Sequence, residues 1–326
     1  MIIQRLTFIE SCIGVGLNLL VFVMFSYNNS TKKDNYFLFL KWTRLIDVLI
    51  PFTSGVMTNG FSLTPMNGSA SDTVCFWLKS PMLCNYMIIS SLIVVLANNI
   101  LRKLSYMFRY NIFVLKKSTF YCSKFEKYFT ILGLIIMPII FLSYTHTFPL
   151  KPDEYEKYYN NIDKVLQKIP NTSYIISLYN PKISLNNSIV IFFSIGCIYL
   201  GITIAIMIFW YAIPLEKQLK SCKKNGFNET NKKIIKAIFY LRISIILPVF
   251  CSLLPTFFVY IYSMLTKDTL ANGLSLGFYL PLIYQTYSII NPIVIMFQGQ
   301  LLKIKNNNKV TSVKKINIFL INKLGM

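Results

Sequence analysis

Residues 183–215, ISLNNSIVIFFSIGCIYLGITIAIMIFWYAIPL, contain no charged side chain. A helix that crosses the hydrocarbon of a bilayer needs roughly 20 apolar residues, and it satisfies its own backbone polar groups there. A helix of a soluble domain keeps a polar face for water instead. Five further stretches read the same way: Ser11–Thr31, Ser80–Leu101, Tyr128–Leu150, Ile243–Thr266 and Thr269–Leu302. A seventh, Tyr36–Met57, carries Lys41, Arg44 and Asp47. Arg44 and Asp47 are three residues apart and can meet across one helical turn. Lys41 and Arg44 lie near the end of the span, where long basic side chains extend toward headgroups. Asp47 lies deeper, so it should face the bundle interior or a hydrated cavity.

The expected fold is therefore an all-α membrane protein, a bundle of seven transmembrane helices. One domain covers residues 1–326, with spans near 7–27, 36–57, 82–101, 128–148, 189–213, 243–265 and 274–297 and a short basic tail over 303–326. Hydrophobic residues make up 54% of the chain, which suits a bundle with short loops and leaves no room for a soluble domain between spans. The first span starts close to Met1 and is long, as expected of an uncleaved span rather than a signal peptide.

Charge gives the orientation. Most of the 33 basic residues fall in alternate loops, around 32–44, 102–127 and 217–242, and in the tail after residue 302. Short basic loops stay cytoplasmic, so the N-terminus is expected outside and the C-terminus in the cytosol. The net charge of +21 is then a cytosolic face for anionic lipid and acidic partners, and nucleic acid is not needed to explain it. Three glycosylation sequons, at Asn67, Asn171 and Asn186, fall in expected outer loops.

Catalytic and metal-binding signatures are missing from the sequence. His146 is the one histidine, and the seven cysteines form no Cys-x-x-Cys pair. There is no Gly-rich phosphate loop and no Ser/His/Asp set. Neither an enzyme nor a cofactor is expected. No internal repeat of the kind that marks secondary transporters is visible. A multi-pass transporter of a small solute remains the alternative reading.

Several motifs give this layout a family likeness. Ser288-Ile289-Ile290-Asn291-Pro292 resembles the start of the seventh-helix motif of rhodopsin-type G-protein-coupled receptors, with Ile295 where the family has tyrosine. Phe108-Arg109-Tyr110, followed by Ile112, resembles the Asp-Arg-Tyr motif at the inner end of the third helix, with Phe108 in place of the acid. Arg109 follows Cys84 by the family's spacing. Pro255 matches the kink proline of the sixth helix, Gly14 and Asn18 the small-residue and asparagine pair of the first, and Asp47 the sodium-binding acid of the second. The long outer loop 151–187 has no cysteine for the usual bridge, although Cys75 and Cys84 could pair with each other. Among these receptors the chain looks most like the divergent serpentine chemoreceptors of nematodes.

The resemblance implies a plasma-membrane chemosensory receptor that detects a small-molecule or peptide ligand and signals to a heterotrimeric G protein on its cytosolic face. Arg109 and Tyr110 would couple to the G protein. Asn18, Asp47, Pro255, Ser288, Asn291 and Pro292 would serve switching and packing. A largely apolar ligand cavity with a few placed polar groups is expected in the outer half, lined by Tyr86, Ser90, Phe257, Tyr260, Tyr284 and Gln285. The third, sixth and seventh spans hold no acid in their outer halves, so neutral or anionic ligands are expected there.

Overall fold

In the computed structural model the residues described are 2–27, 35–62, 68–118, 120–147, 174–178, 188–224, 228–255, 258, 281–283 and 285–296. They are overwhelmingly helical. Helix α1 is Ile2–Tyr27. Helix α2 is Asn35–Pro51, continued by a π-helical segment Phe52–Met57. A short α3, Val74–Leu78, precedes α4, Pro81–Tyr110, which runs on through Asn111–Leu115. Helix α5 comprises Lys124–Ile131, Leu132–Ile136 and Met137–Thr147, and α6 comprises Ser188–Ile206, Met207–Ala212 and Ile213–Lys224. Helix α7 is Asn228–Pro248 with Val249–Leu253, and α8 is the helical stretch 285–296.

Four of these helices are long and apolar enough to cross a membrane: Ile3–Tyr27, Met82–Leu115, Lys124–Ser143 and Ile195–Ser221. Ile238–Cys251 is a shorter apolar helix. Helix α2, with three charged residues on it, is not among the four. The burial pattern is the inverse of a soluble protein's. On α1 the buried side is Gln4, Thr7, Ser11, Gly14, Asn18 and Val21, while Leu6, Ile9, Ile13, Leu19 and Leu20 are exposed. Hydrocarbon outside and small or polar residues at helix contacts is the arrangement that packs helices in lipid.

Helix α4 is the central post, packed against α2, α5 and α6, and α6 in turn packs against α7. At one level Ile89, Leu96 and Ile100 of α4 meet Met137 and Phe141 of α5 and Tyr199 of α6. Further along α4, Tyr106, Met107 and Phe108 meet Ile206, Met207, Tyr211 and Leu215 of α6 and Leu241 of α7. Gly133 lets α5 approach this post: a methyl group there would overlap the Tyr199 hydroxyl and Ile100. Helix α5 starts in a capping box, in which the Ser123 side chain accepts from the Glu126 N–H and the Glu126 carboxylate accepts from the Ser123 N–H.

Two π-helical segments directly follow prolines, Pro51 and Pro248. Proline supplies no N–H to the ladder, and the backbone relieves the defect by widening one turn. The structure also corrects the third span. Arg102 and Lys103, expected at the start of an inner loop, lie inside α4, and Lys103 is 1% exposed. Its ammonium donates to Thr130 Oγ1 at 3.1 Å and sits 4.9 Å over the Phe129 ring, so helix packing absorbs the charge.

The all-helical expectation missed one element. Strands β1 (Phe61–Ser62), β2 (Gly68–Ser71) and β3 (Tyr174–Leu178) form an antiparallel sheet in the order β1-β2-β3. Phe61 pairs with Ala70, and Ser71 with Tyr174, with an irregularity between Ser69 and Ala70. Strand β3 lies against α3 and α4. Cys75 and Cys84 are bridged, their Cα atoms 5.4 Å apart, which fixes α3 to the start of α4.

Candidate functional site

Asp47 is the centre of a buried polar cluster. It is 3% exposed, and its Oδ2 lies 2.7 Å from an Arg44 guanidinium nitrogen, the pairing that the i, i+3 spacing on α2 favours. A second guanidinium comes from α4, where Arg102 lies 3.6 Å from Asp47 Oδ1. Arg102 also donates from Nε to Asn98 Oδ1 at 3.3 Å and sits 4.6 Å over the Tyr287 ring of α8. Asn291 of α8 donates to Asp47 Oδ2 at 3.4 Å. Asn18 of α1 donates to the Gly14 carbonyl at 2.8 Å and across to the Ser288 carbonyl at 2.9 Å.

Four helices thus share one cluster: α1 through Asn18, α2 through Arg44 and Asp47, α4 through Asn98 and Arg102, and α8 through Tyr287, Ser288 and Asn291. A carboxylate held inside a bundle needs partners, and this one has two arginines. The positive charge beside Asp47 comes from the chain itself. Sequence reasoning paired Asp47 with Arg44 but assigned Arg102 to a loop. Gly14 permits the contact, because a Cβ there would already lie 3.0 Å from Ser288 Cβ and 3.4 Å from Pro51 Cβ. Pro292 is buried beside this cluster, while Pro255 lies at the end of the described part of α7.

At the far end of α4, Arg109 stands in the last turn, with its guanidinium 5.8 Å over the Tyr106 ring. Tyr110 stacks edge-on against Tyr211 of α6, with centroids 5.6 Å apart. Tyr106 was not singled out in the sequence, yet its position is informative. It is buried, donates to the Leu241 carbonyl of α7 at 2.8 Å and shares a close contact with the Ser244 hydroxyl. Glu126 accepts from the Tyr211 hydroxyl, tying α5 to α6. The ends of α4, α5, α6 and α7 are thereby latched by two tyrosine hydroxyls.

The six expected ligand residues divide. Phe257, Tyr260 and Tyr284 lie outside the described residues. Tyr86 and Ser90 lie on α4 one turn apart, both half-buried, and the Ser90 hydroxyl donates to the Met87 carbonyl of its own helix at 2.7 Å. Gln285 is fully buried at a crossing of α1, α2 and α8, and its Nε2 donates to Ser54 Oγ at 2.7 Å. Gln285 thus meets Ser54 of α2, while the Ser90 hydroxyl stays on its own helix. Gly55 makes the crossing possible, since a methyl there would overlap Ser11 and lie 3.0 Å from Gln285 Nε2.

Near the sheet, Asn59 donates from Nδ2 to the Gln4 carbonyl at 3.1 Å and to Asp72 Oδ1 at 2.7 Å, in a left-handed backbone conformation (φ 36°) that asparagine tolerates. Burial raises the Asp72 pKa above its ordinary value, and the Asn59 hydrogen bond opposes part of that rise. Among the described residues no group of His, Cys, Asp and Glu could hold a metal ion. No protein-family model matches the chain, and no curated protein matches it.

Proposed function

We propose that the chain is a seven-helix receptor of the plasma membrane, with the N-terminus outside and the C-terminus cytosolic, that detects a small ligand and signals to a heterotrimeric G protein. One observation carries the reading. Asn18, Asp47, Ser288 and Asn291, four of the residues on which the likeness to rhodopsin-type receptors rests, come from segments far apart in sequence and pair across helices, Asn18 with the Ser288 carbonyl and Asn291 with Asp47. The Cys75–Cys84 bridge is in keeping with an outer, oxidising location for the start of α4.

The mechanism is a two-state bundle. A ligand that prefers one arrangement shifts the population by its difference in affinity for the two. Tyr106 and the apolar cluster around Met107 and Leu215 hold α4, α6 and α7 together at the Arg109 end of the bundle; on this reading that end is the cytosolic one. Separating α4 from α7 removes the Tyr106 hydrogen bond, a net cost of about 1 kcal/mol, within the range that differential ligand binding can supply. Arg109, at the rim of this cluster, is then the residue placed to meet a cytosolic partner.

The test is a pair of measurements on one cell line. Epitope tags should be accessible outside at the N-terminus and inside at the C-terminus, and Arg109→Ala should reduce guanine-nucleotide exchange at unchanged surface level. Both ends on one side, or concentrative uptake of a solute without nucleotide exchange, would replace the receptor with the transporter reading.

A further inference from the structure

Donors and acceptors do not balance at the crossing of α1, α2 and α8. Thr7 donates to the Ile3 carbonyl at 2.9 Å, Ser11 to the Thr7 carbonyl at 2.6 Å and Ser54 to the Ile50 carbonyl at 2.6 Å. Each hydroxyl proton is thus committed to its own helix. Gln285 spends an N–H on Ser54 Oγ. What remains is the Ser288 hydroxyl, one turn further along α8 and without a hydrogen-bond partner among the described residues, and two acceptors. Gln285 Oε1, on a side chain with no exposed surface, and Glu10 Oε2, itself buried, have no hydrogen-bond partner among the described residues.

The register places Glu10 and Gln285 at one level of the bundle. Ser11 and Gln285 both crowd Gly55, Gly14 approaches Ser288, and Asn18 reaches the Ser288 carbonyl. Advancing along α1 therefore corresponds to advancing along α8, so the helices run parallel. Glu10 precedes Gly14 by one turn and shares its side of α1, as Gln285 precedes Ser288 on α8. Leu6 and Ile13 flank Glu10 and are exposed at 46% and 47%, on the apolar surface that a bilayer would cover.

We propose that this α1–α8 seam binds an amphipathic amine, with its ammonium received by the Glu10 carboxylate and the Gln285 side-chain carbonyl and its apolar tail lying along Leu6 and Ile13. A carboxylate and an amide oxygen are acceptors only, and an ammonium supplies three N–H donors and the opposite charge. The tail needs no enclosed cavity because it remains in lipid. The inference deepens the receptor reading by naming a ligand class, and it revises the expectation of neutral or anionic ligands, since the acid lies on the first helix rather than on the third, sixth or seventh. The same ammonium chemistry is available from a free amine or from a phosphatidylethanolamine headgroup.

The full-length protein in detergent is melted against n-alkylammonium chlorides from ethyl to octyl, with the matching n-alcohols as controls. A saturable rise in Tm with the ammonium ions, absent with the alcohols and requiring at least tenfold more ligand in Glu10→Gln, is expected. Gln285→Met should also weaken binding several-fold. No saturable rise across the series, or an equal rise in Glu10→Gln, overturns the proposal. Nanodiscs of phosphatidylethanolamine against phosphatidylcholine separate the two sources: a Glu10-dependent rise on phosphatidylethanolamine alone assigns the site to lipid, and a rise needing added alkylammonium assigns it to a free amine. These melts involve no G protein, so their failure leaves the nucleotide-exchange test standing, and the reverse also holds.

Discussion

Gly55→Ala should be among the most damaging small substitutions in this chain. A Cβ at residue 55 would interpenetrate both Ser11 Oγ and Ser11 Cβ and press on Gln285 Nε2 at 3.0 Å. The Ser11 hydroxyl cannot simply swing aside without giving up its bond to the Thr7 carbonyl, and its Cβ cannot move unless α1 does. Overpacking a close contact costs about 1–3 kcal/mol, and an overlap involving two atoms of a short side chain puts this case near 3. Gly16→Ala is the internal control, because nothing lies within 4 Å of its added methyl. Removing a mid-helix glycine there should be neutral or stabilise by about 0.5–1 kcal/mol. Ser11→Gly should rescue Gly55→Ala although it costs about 0.5 kcal/mol by itself through helix propensity. The double variant should therefore melt above Gly55→Ala alone, with a coupling of roughly 2 kcal/mol in the double-mutant cycle. Thermal unfolding in one detergent, followed by tryptophan emission, measures all four proteins. If Gly55→Ala costs no more than Gly16→Ala, or if the two substitutions are additive, the α1–α2 contact described at Ser11 is wrong.

Asp47→Asn leaves two largely buried guanidiniums without their anion, and breaking a fully buried pair costs about 3–5 kcal/mol, an upper bound here because Arg44 and Arg102 are 16% and 14% exposed; the melting temperature should fall, while Arg44→Gln alone, which leaves Arg102 in place, should cost less. Tyr106→Phe keeps the ring in its cluster and removes only the hydroxyl. It should cost about 1 kcal/mol, speed hydrogen exchange around Leu241–Ser244, and raise ligand-independent nucleotide exchange if the chain is a receptor; unchanged exchange at Leu241 would refute the latch. Asp72 has a raised folded-state pKa, so its contribution to stability is full below pH 3.8, the unfolded value, and is lost as the pH rises through the folded value. The acid-side gain should disappear in Asp72→Asn, which keeps an acceptor for Asn59, and a pH profile identical to wild type would show that another group controls it.

Much of the helical layout was legible because hydropathy reports the solvent directly. A run such as Ile189–Leu200 has no soluble explanation, and the helix there follows. The Arg44–Asp47 pair was equally readable, being local to one turn. Arg102 was not, for a physical reason: a basic residue just past an apolar run reads as a loop charge, and only the partner 55 positions earlier reveals that it turns into the bundle. Its side-chain neighbours Asn98 and Tyr287 carry no such signal in sequence. Glu10 went unremarked because it stands at the edge of an uncharged window. The sheet was invisible because β1 and β2 are short and β3 comes from a distant loop, so no local alternation announces their pairing. The start of α5 could have been found, since Ser123-Lys124-Phe125-Glu126 fits the capping-box pattern.

The sheet also orders events during synthesis. Cys75 and Cys84 are nine residues apart, so their loop can close as soon as both meet an oxidising environment. Strand β2 has no such local partner on its second edge, because Ser71 pairs with Tyr174. At a translation rate of 5–20 residues per second, β3 arrives roughly 5–20 s after β2. For that interval the nascent protein presents an open strand edge, the kind of surface that recruits stray strands. A chaperone, or quick insertion of the intervening helices, has to cover that edge until residues 174–178 arrive.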